Sequence, residues 1–256
     1  MHINRSYGHK TRSRFRCRLG ALSLGLLTAT AALTALQPQP ASADEFYYSY
    51  GAWNGKKVYL SPARHSDAGG RGECGGNNEN AMAFTTARAA TNGDHYGDYT
   101  QDYSSPTGAG RNLRARGYQV RIGTGTINTA ITNSNAWGTH IHIPIHSNAR
   151  TESCTNTVLS PHGTVVISAS AAGASLSTQM RYAHEASSPG TGDQTCTDTS
   201  GCTSITLAEL RQTTAVASYL EADFHSWNTG VNWVRSGHRW GWRISWGVDR
   251  YLGYPR

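Results

Sequence analysis

No acidic residue precedes Asp44 in this 256-residue chain, no two arginines are adjacent in its basic head, and no CxxC pair occurs anywhere. Each absence excludes something. The acid-free head holds Arg5, Lys10, Arg12, Arg14, Arg16 and Arg18, followed by the apolar run LGALSLGLLTATAALTAL (Leu19 to Leu36) and by QPQPASA ending at Ala43. A basic head, an apolar stretch and a small-residue end predict a secretory signal peptide over residues 1–43, cut between Ala43 and Asp44. Without an Arg-Arg pair the leader reads as an ordinary export signal rather than a twin-arginine one. Gly, Ser and Thr dilute the apolar run and QPQP breaks it, which argues against a spanning anchor. Six of the 23 basic residues lie in this leader, so 17 remain against 16 acids. The net charge of +7 therefore belongs to the leader, and the rest lacks the basic footprint of a nucleic-acid binder. Residues 44–256 suffice for one domain with its own core, and no internal repeat divides them.

The missing CxxC pair argues against a thiolate zinc site. Four cysteines follow the leader, Cys74, Cys154, Cys196 and Cys202, and an even number in an exported chain points to two disulfides. Three pairings are possible. The close spacing in TCTDTSGCTS favours a local staple between Cys196 and Cys202, which leaves Cys74 for Cys154.

The patterning predicts strands alternating with helices. KKVYLSP (56–62), YQVRIG (118–123), THIHIPIHSNA (139–149), GTVVISAS (163–170) and AVASYLEADF (215–224) read as strands. ENAMAFTTARAA (79–90), TINTAITNSNAWG (126–138), SLSTQMRYAHEA (175–186) and WGWRISWGVDRYLG (240–253) read as helices. GRNLRARGY (110–118) suggests a short helix, and LAELRQ (207–212) a helical turn or strand. Residues 91–110 and SPGTGDQTCTDTSGCTS (188–204) read as polar loops, the second one stapled. The expected fold is a single α/β domain with a mostly parallel central sheet flanked by helices on both faces.

Three strand and helix ends are chemically unusual. ARHSDAGG places His65 just beyond the first strand, NNEN places Glu79 at the head of the next helix, and IPIHSNA places His146 at the end of a strand. In open α/β sheets, ligand sites gather at the carboxyl ends of strands. Two imidazoles and a carboxylate meeting there could hold a catalytic zinc ion, which polarises carbonyls and lowers the pKa of water. Hydrolysis also needs a proton carrier that is not a ligand. Glu221 lies inside the apolar run of YLEADF, where an unpartnered carboxylate is costly, and it is the candidate catalytic acid/base. Each residue also has a plainer reading: a loop histidine, a helix-dipole carboxylate, or a buried carboxylate paired with an arginine. His140 and His142 share the face of His146 and read as structural histidines hydrogen-bonded within the sheet. His225 is left open between the cleft and the strand end. Trp227, Trp233, Trp240, Trp242 and Trp246 suit either the core or a sugar platform.

The four motifs in order, LSPARHSDAGG, NNEN, IPIHSNA and YLEADFHSW, resemble the zinc-dependent N-acetylmuramoyl-L-alanine amidases of the amidase-3 class, over most of residues 56–256. The resemblance implies His65, Glu79 and His146 as zinc ligands and Glu221 as the catalytic carboxylate. It implies hydrolysis of the amide between the lactyl group of N-acetylmuramic acid and L-alanine, with peptidoglycan as partner and a secreted or wall-associated location. SPARH departs from the family pattern, with Ala63-Arg64 where the usual turn has a single glycine. The alternatives are a catalytically inactive wall-binding domain of the same fold and a zinc peptidase cutting within the stem peptide. An intact ligand set with Glu221 separates the enzymes from the binding domain, which needs none of the four.

Overall fold

The strand Ile141–Asn148 is almost wholly buried and alternates two chemistries. Ile141, Ile143 and Ile145 belong to the main apolar core, whereas His142 and His146 are buried polar groups on the other side of the strand. Side chains two apart share a face of a strand, so one strand serves an oily layer and a polar one.

The computed structural model describes residues 43–63, 74, 79–93, 112–149, 154, 162–200 and 206–254, apart from the side chain of Arg239. The strands are β1 (Glu45–Tyr47), β2 (Lys57–Pro62), β3 (Gln119–Ile122), β4 (Ile141–Asn148), β5 (Val165–Ser168), β6 (Gln194–Thr197), β7 (Val216–Ala217) and β8 (Tyr219–Phe224). The helices are α1 (Glu79–Asn92), α2 (Ile127–Trp137), α3 (Ala171–Glu185), α4 (Ala208–Gln212), α5 (Asn228–Arg235), α6 (Gly237–Trp240) and α7 (Trp242–Leu252). The sheet runs β1-β3-β2-β4-β8-β5-β6, with β7 beside β4. Five of the seven pairings are parallel; the exceptions are β1 with β3 and β5 with β8. The mixed eight-stranded sheet flanked by helices is thus the expected α/β fold, and the described residues all fall within one compact unit.

The main core packs Val58, Leu60, Val120, Ile122, the three β4 isoleucines and Leu220 against Ala83, Ala87 and Ala90 of α1, Leu176 and Met180 of α3, and Ile244 and Val248 of α7. Alanine on the buried side of α1 and glycine opposite it permit close approach. A Cβ at Gly241 would lie 2.7 Å from the carbonyl oxygen of Thr86, closer than packed atoms tolerate. Local signals fix the helix ends. The Thr126 hydroxyl caps α2 by accepting from the Thr129 N–H, and Gly138 closes it at φ 66°. The Ser170 hydroxyl caps α3 in the same way.

Four details differ from the sequence expectation. Residues 112–117 form turns rather than a short helix. The polar loop at 188–204 contains β6, a strand paired parallel to β5, whose residues are mostly exposed. The run 215–224 is broken at Ser218 into β7 and β8. Two helices before the closing one, α5 and α6, bury Gly230, Val231 and Val234 and carry the core tryptophan Trp240.

Candidate active site

The site grows from one register. In the parallel pairing of β4 with β8, His146 lies opposite Glu221, and the register shifts immediately afterwards, between His146 and Asn148. Cross-strand neighbours in a parallel pair project on the same face about 5 Å apart, so the imidazole and the carboxylate share one polar surface. Tyr219, two residues before Glu221, stacks on the His146 ring with centroids 4.6 Å apart and planes 20° from parallel.

Glu79 arrives from the first residue of α1. Its Oε1 lies 3.3 Å from His146 Nδ1 and accepts the Ser147 backbone N–H at 2.9 Å. Burial works against the Glu79 carboxylate, but the hydrogen bond and charge of His146, the Ser147 N–H and the nearby His225 outweigh it and hold its pKa below the usual range. Burial likewise disfavours a charged His146, yet Glu79, Glu221 and Glu209 together raise its pKa. Glu221 has no such compensation. Burial pushes its pKa up to about 7, His146 pulls it back only in part, and Glu79 adds to the rise. Its buried Oε2 has no hydrogen-bond partner among the described residues.

The other histidines divide by their partners. His142 is fully buried, with Nδ1 2.9 Å from Ser134 Oγ and Nε2 3.1 Å from Glu209 Oε1, and its ring stacks on Tyr59 at 5.1 Å. Both ring nitrogens are engaged, so His142 has a structural part. His140 Nδ1 accepts the Lys57 N–H at 3.2 Å at the exposed start of the strand. His225 is buried, and its Nδ1 lies 2.8 Å from Ser147 Oγ. Sequence reasoning did not single out Glu209, Ser147 or Tyr219. Glu209 carried the same signal that exposed Glu221, a lone carboxylate in an apolar run, and it is 2 % exposed. Among the tryptophans, Trp227 and Trp240 are core residues, and Trp233 stacks on Trp240 at 4.5 Å.

Of the expected metal ligands, Glu79 and His146 come together, and His65 lies outside the described residues. Among the described residues no trio of His, Cys, Asp and Glu side chains forms a metal cluster. The two donors that are present nevertheless fit zinc. Ligand atoms about 2.0–2.1 Å from a tetrahedral ion stand roughly 3.3 Å apart, matching the observed Nδ1 to Oε1 distance. A carboxylate held below its usual pKa and an imidazole surrounded by three carboxylates suit a bound cation equally well.

No family model and no curated protein matches the chain. Solved structures do. The catalytic domain of CwlV, an N-acetylmuramoyl-L-alanine amidase from Bacillus (Paenibacillus) polymyxa var. colistinus, superposes with a TM-score of 0.57 at 15% identity, over 78% of this chain and 99% of that one. The chain has the fold of an amidase catalytic domain. The N-acetylmuramyl-L-alanine amidase Ami1 of Mycobacterium smegmatis gives a TM-score of 0.57 at 15% identity, over 80% of this chain and 100% of its own. An N-acetylmuramoyl-L-alanine amidase from Clostridium difficile 630 gives 0.56 at 14%, over 78% and 98%. The likeness therefore takes in nearly the whole of those domains, and at these identities it concerns the fold.

Proposed function

We propose that this protein is an exported zinc amidase that hydrolyses the bond between the lactyl group of N-acetylmuramic acid and L-alanine in peptidoglycan. The observation that carries the reading is the Glu79–His146 donor pair, 3.3 Å apart, in register with a Glu221 held near neutrality. The amidase fold supports it further. His146 and Glu79, with His65, would hold the zinc. When bound, the ion polarises the scissile carbonyl and acidifies water.

The remaining roles belong to the chain. The Ser147 N–H fixes the orientation of the Glu79 carboxylate, as outer hydrogen bonds do for metal ligands. Tyr219 stacks on His146 and limits its rotation. Glu221, with a pKa of about 7, can take a proton from the attacking water and return it to the leaving amine, because such a pKa serves both transfers near neutral pH. Export, and with it a location at the wall or outside the cell, rests on reading residues 1–43 as a signal peptide. A Cys196–Cys202 staple fits that compartment.

Mass spectrometry of purified peptidoglycan after incubation with the protein tests the reading. The expected products are lactyl-bearing glycan strands and stem peptides with a free L-alanine amine, lost with chelator and restored by zinc. Cleavage inside the stem peptide would refute the bond assignment, and an absence of products from folded, zinc-loaded protein would refute the enzyme.

A further inference from the structure

Two cysteines bracket the strand end beneath this site. The Cys74 N–H donates to the carbonyl of His225 at 3.1 Å, and the Cys154 N–H donates to the next carbonyl, Ser226, at 2.8 Å. Each is held at its own carbonyl as well: Cys74 O accepts from Arg235 Nη2 at 2.9 Å and Cys154 O from Asn228 Nδ2 at 3.1 Å. Cys154 is the non-glycine residue with positive φ among the described ones, at 55°. Side chains with φ in this region need surroundings that impose it. The two side chains meet in a hydrogen bond.

The bracketed residue is tied to the site. His225 Nδ1 contacts Ser147 Oγ at 2.8 Å, the His225 N–H donates to Asn148 O at 2.9 Å, and the Ser147 N–H holds Glu79. Cys74 precedes Glu79 closely in the chain and Cys154 follows His146 closely. We propose that Cys74 and Cys154 close into a disulfide in the exported protein, forming a covalent clamp that joins the approach to Glu79 with the exit from His146 across the end of β8. The oxidising compartment rests on the export reading above; the geometry does not.

The chemistry balances as thiol–disulfide exchange with a small-molecule or protein disulfide. Cys154 is exposed and Cys74 is buried, so the Cys154 thiolate attacks the incoming disulfide and releases one thiol. Cys74 then gives up its proton and attacks the Cys154 sulfur of the mixed disulfide, releasing the second thiol. One S–S bond forms, one breaks, and two electrons pass from the two cysteines to the incoming disulfide, which leaves as two thiols. Burial pushes the Cys74 thiol up to about 11, which makes it the second to react rather than the first.

Two measurements test the clamp, and neither reads amidase activity. Unreduced protein is alkylated in denaturant under acid quench and mapped by mass spectrometry. A linked pair of peptides carrying Cys74 and Cys154 is expected; free alkylation of both, or linkage of either to Cys196 or Cys202, overturns the proposal. Amide exchange at Ser147 is then compared in oxidised protein, reduced protein and the double variant Cys74→Ser/Cys154→Ser. Exchange about tenfold faster in the last two is expected from local opening, and equal rates in all three overturn the clamp. A linked pair without amidase products would reject the proposed activity and leave the clamp standing.

Discussion

Replacing Glu221 by Gln separates catalysis from stability and gives each a sign. Gln keeps the size and removes the titration. In the metal-free protein the fold favours protonated Glu221, because burial raises its pKa from 4.5 to about 7. A carboxyl raised in this way adds stability that is fully present below pH 4.5 and is lost as pH climbs through 7. At 1.36 kcal/mol per pKa unit that gap amounts to ~3 kcal/mol, and partial exposure with solvent screening reduces the expectation to about 2 kcal/mol. Glu221→Gln should therefore match the parent in stability near pH 4 and exceed it by about 2 kcal/mol at pH 8. Urea unfolding with chelator across that range measures the difference, and subtracting the curves cancels groups that titrate alike in both proteins. The same variant should retain zinc while losing about 10²- to 10⁴-fold in turnover. A stability difference that stays flat from pH 4 to 8 would refute the raised pKa, and near-normal turnover would remove Glu221 as the proton carrier.

His146→Ala removes one of the two converging donors, and elemental analysis after dialysis should find little zinc; full occupancy would sink the ligand assignment. His142→Ala leaves Glu209 buried without its imidazole partner and should cost about 3–5 kcal/mol. Calorimetry should show most of that loss recovered in His142→Phe/Glu209→Val, since an apolar pair fills the same space without a stranded charge. Failure of the double variant to recover would mean that the pair does more than satisfy itself.

The helices and central strands were legible because their periodicity reflects burial. The β4 isoleucines mark the core face, and the alanines of α1 mark close helix packing. What the pattern hid were elements needing little apolar surface. QTCT forms an edge strand on mostly exposed residues, and no hydrophobic alternation is needed where one side already pairs with β5. The candidate ligands Glu79 and His146 could be picked out because each stands at an element end. Their convergence depends on the β4–β8 register and on where α1 begins, which no spacing in the chain states. Glu209 carried the same lone-carboxylate signal as Glu221, but its role as partner of His142, 67 positions away, is visible only in the fold.

That partner also explains how one strand carries two histidines to different ends. Three carboxylates bear on His146: Glu79, Glu221 and Glu209. If all three were uncompensated, burial of so much negative charge would oppose folding. Glu209 is not, because His142 takes its Oε1 at 3.1 Å and holds its pKa below the usual range against burial. Glu79 leans on a backbone N–H as well as on the imidazole. The burden of unmet charge thus falls on Glu221 alone, which answers it by rising to about 7 rather than by finding a partner. Asp223, in the same strand, is fully buried and burial raises its pKa as well, to about 6, but its two oxygens accept from the Phe224 N–H at 2.6 Å and from Ser188 Oγ at 2.9 Å. Burial raises both acids on this short strand, but Asp223 is fastened into the fold by two donors, whereas Glu221 keeps a buried oxygen without a hydrogen-bond partner among the described residues and lies in register with His146.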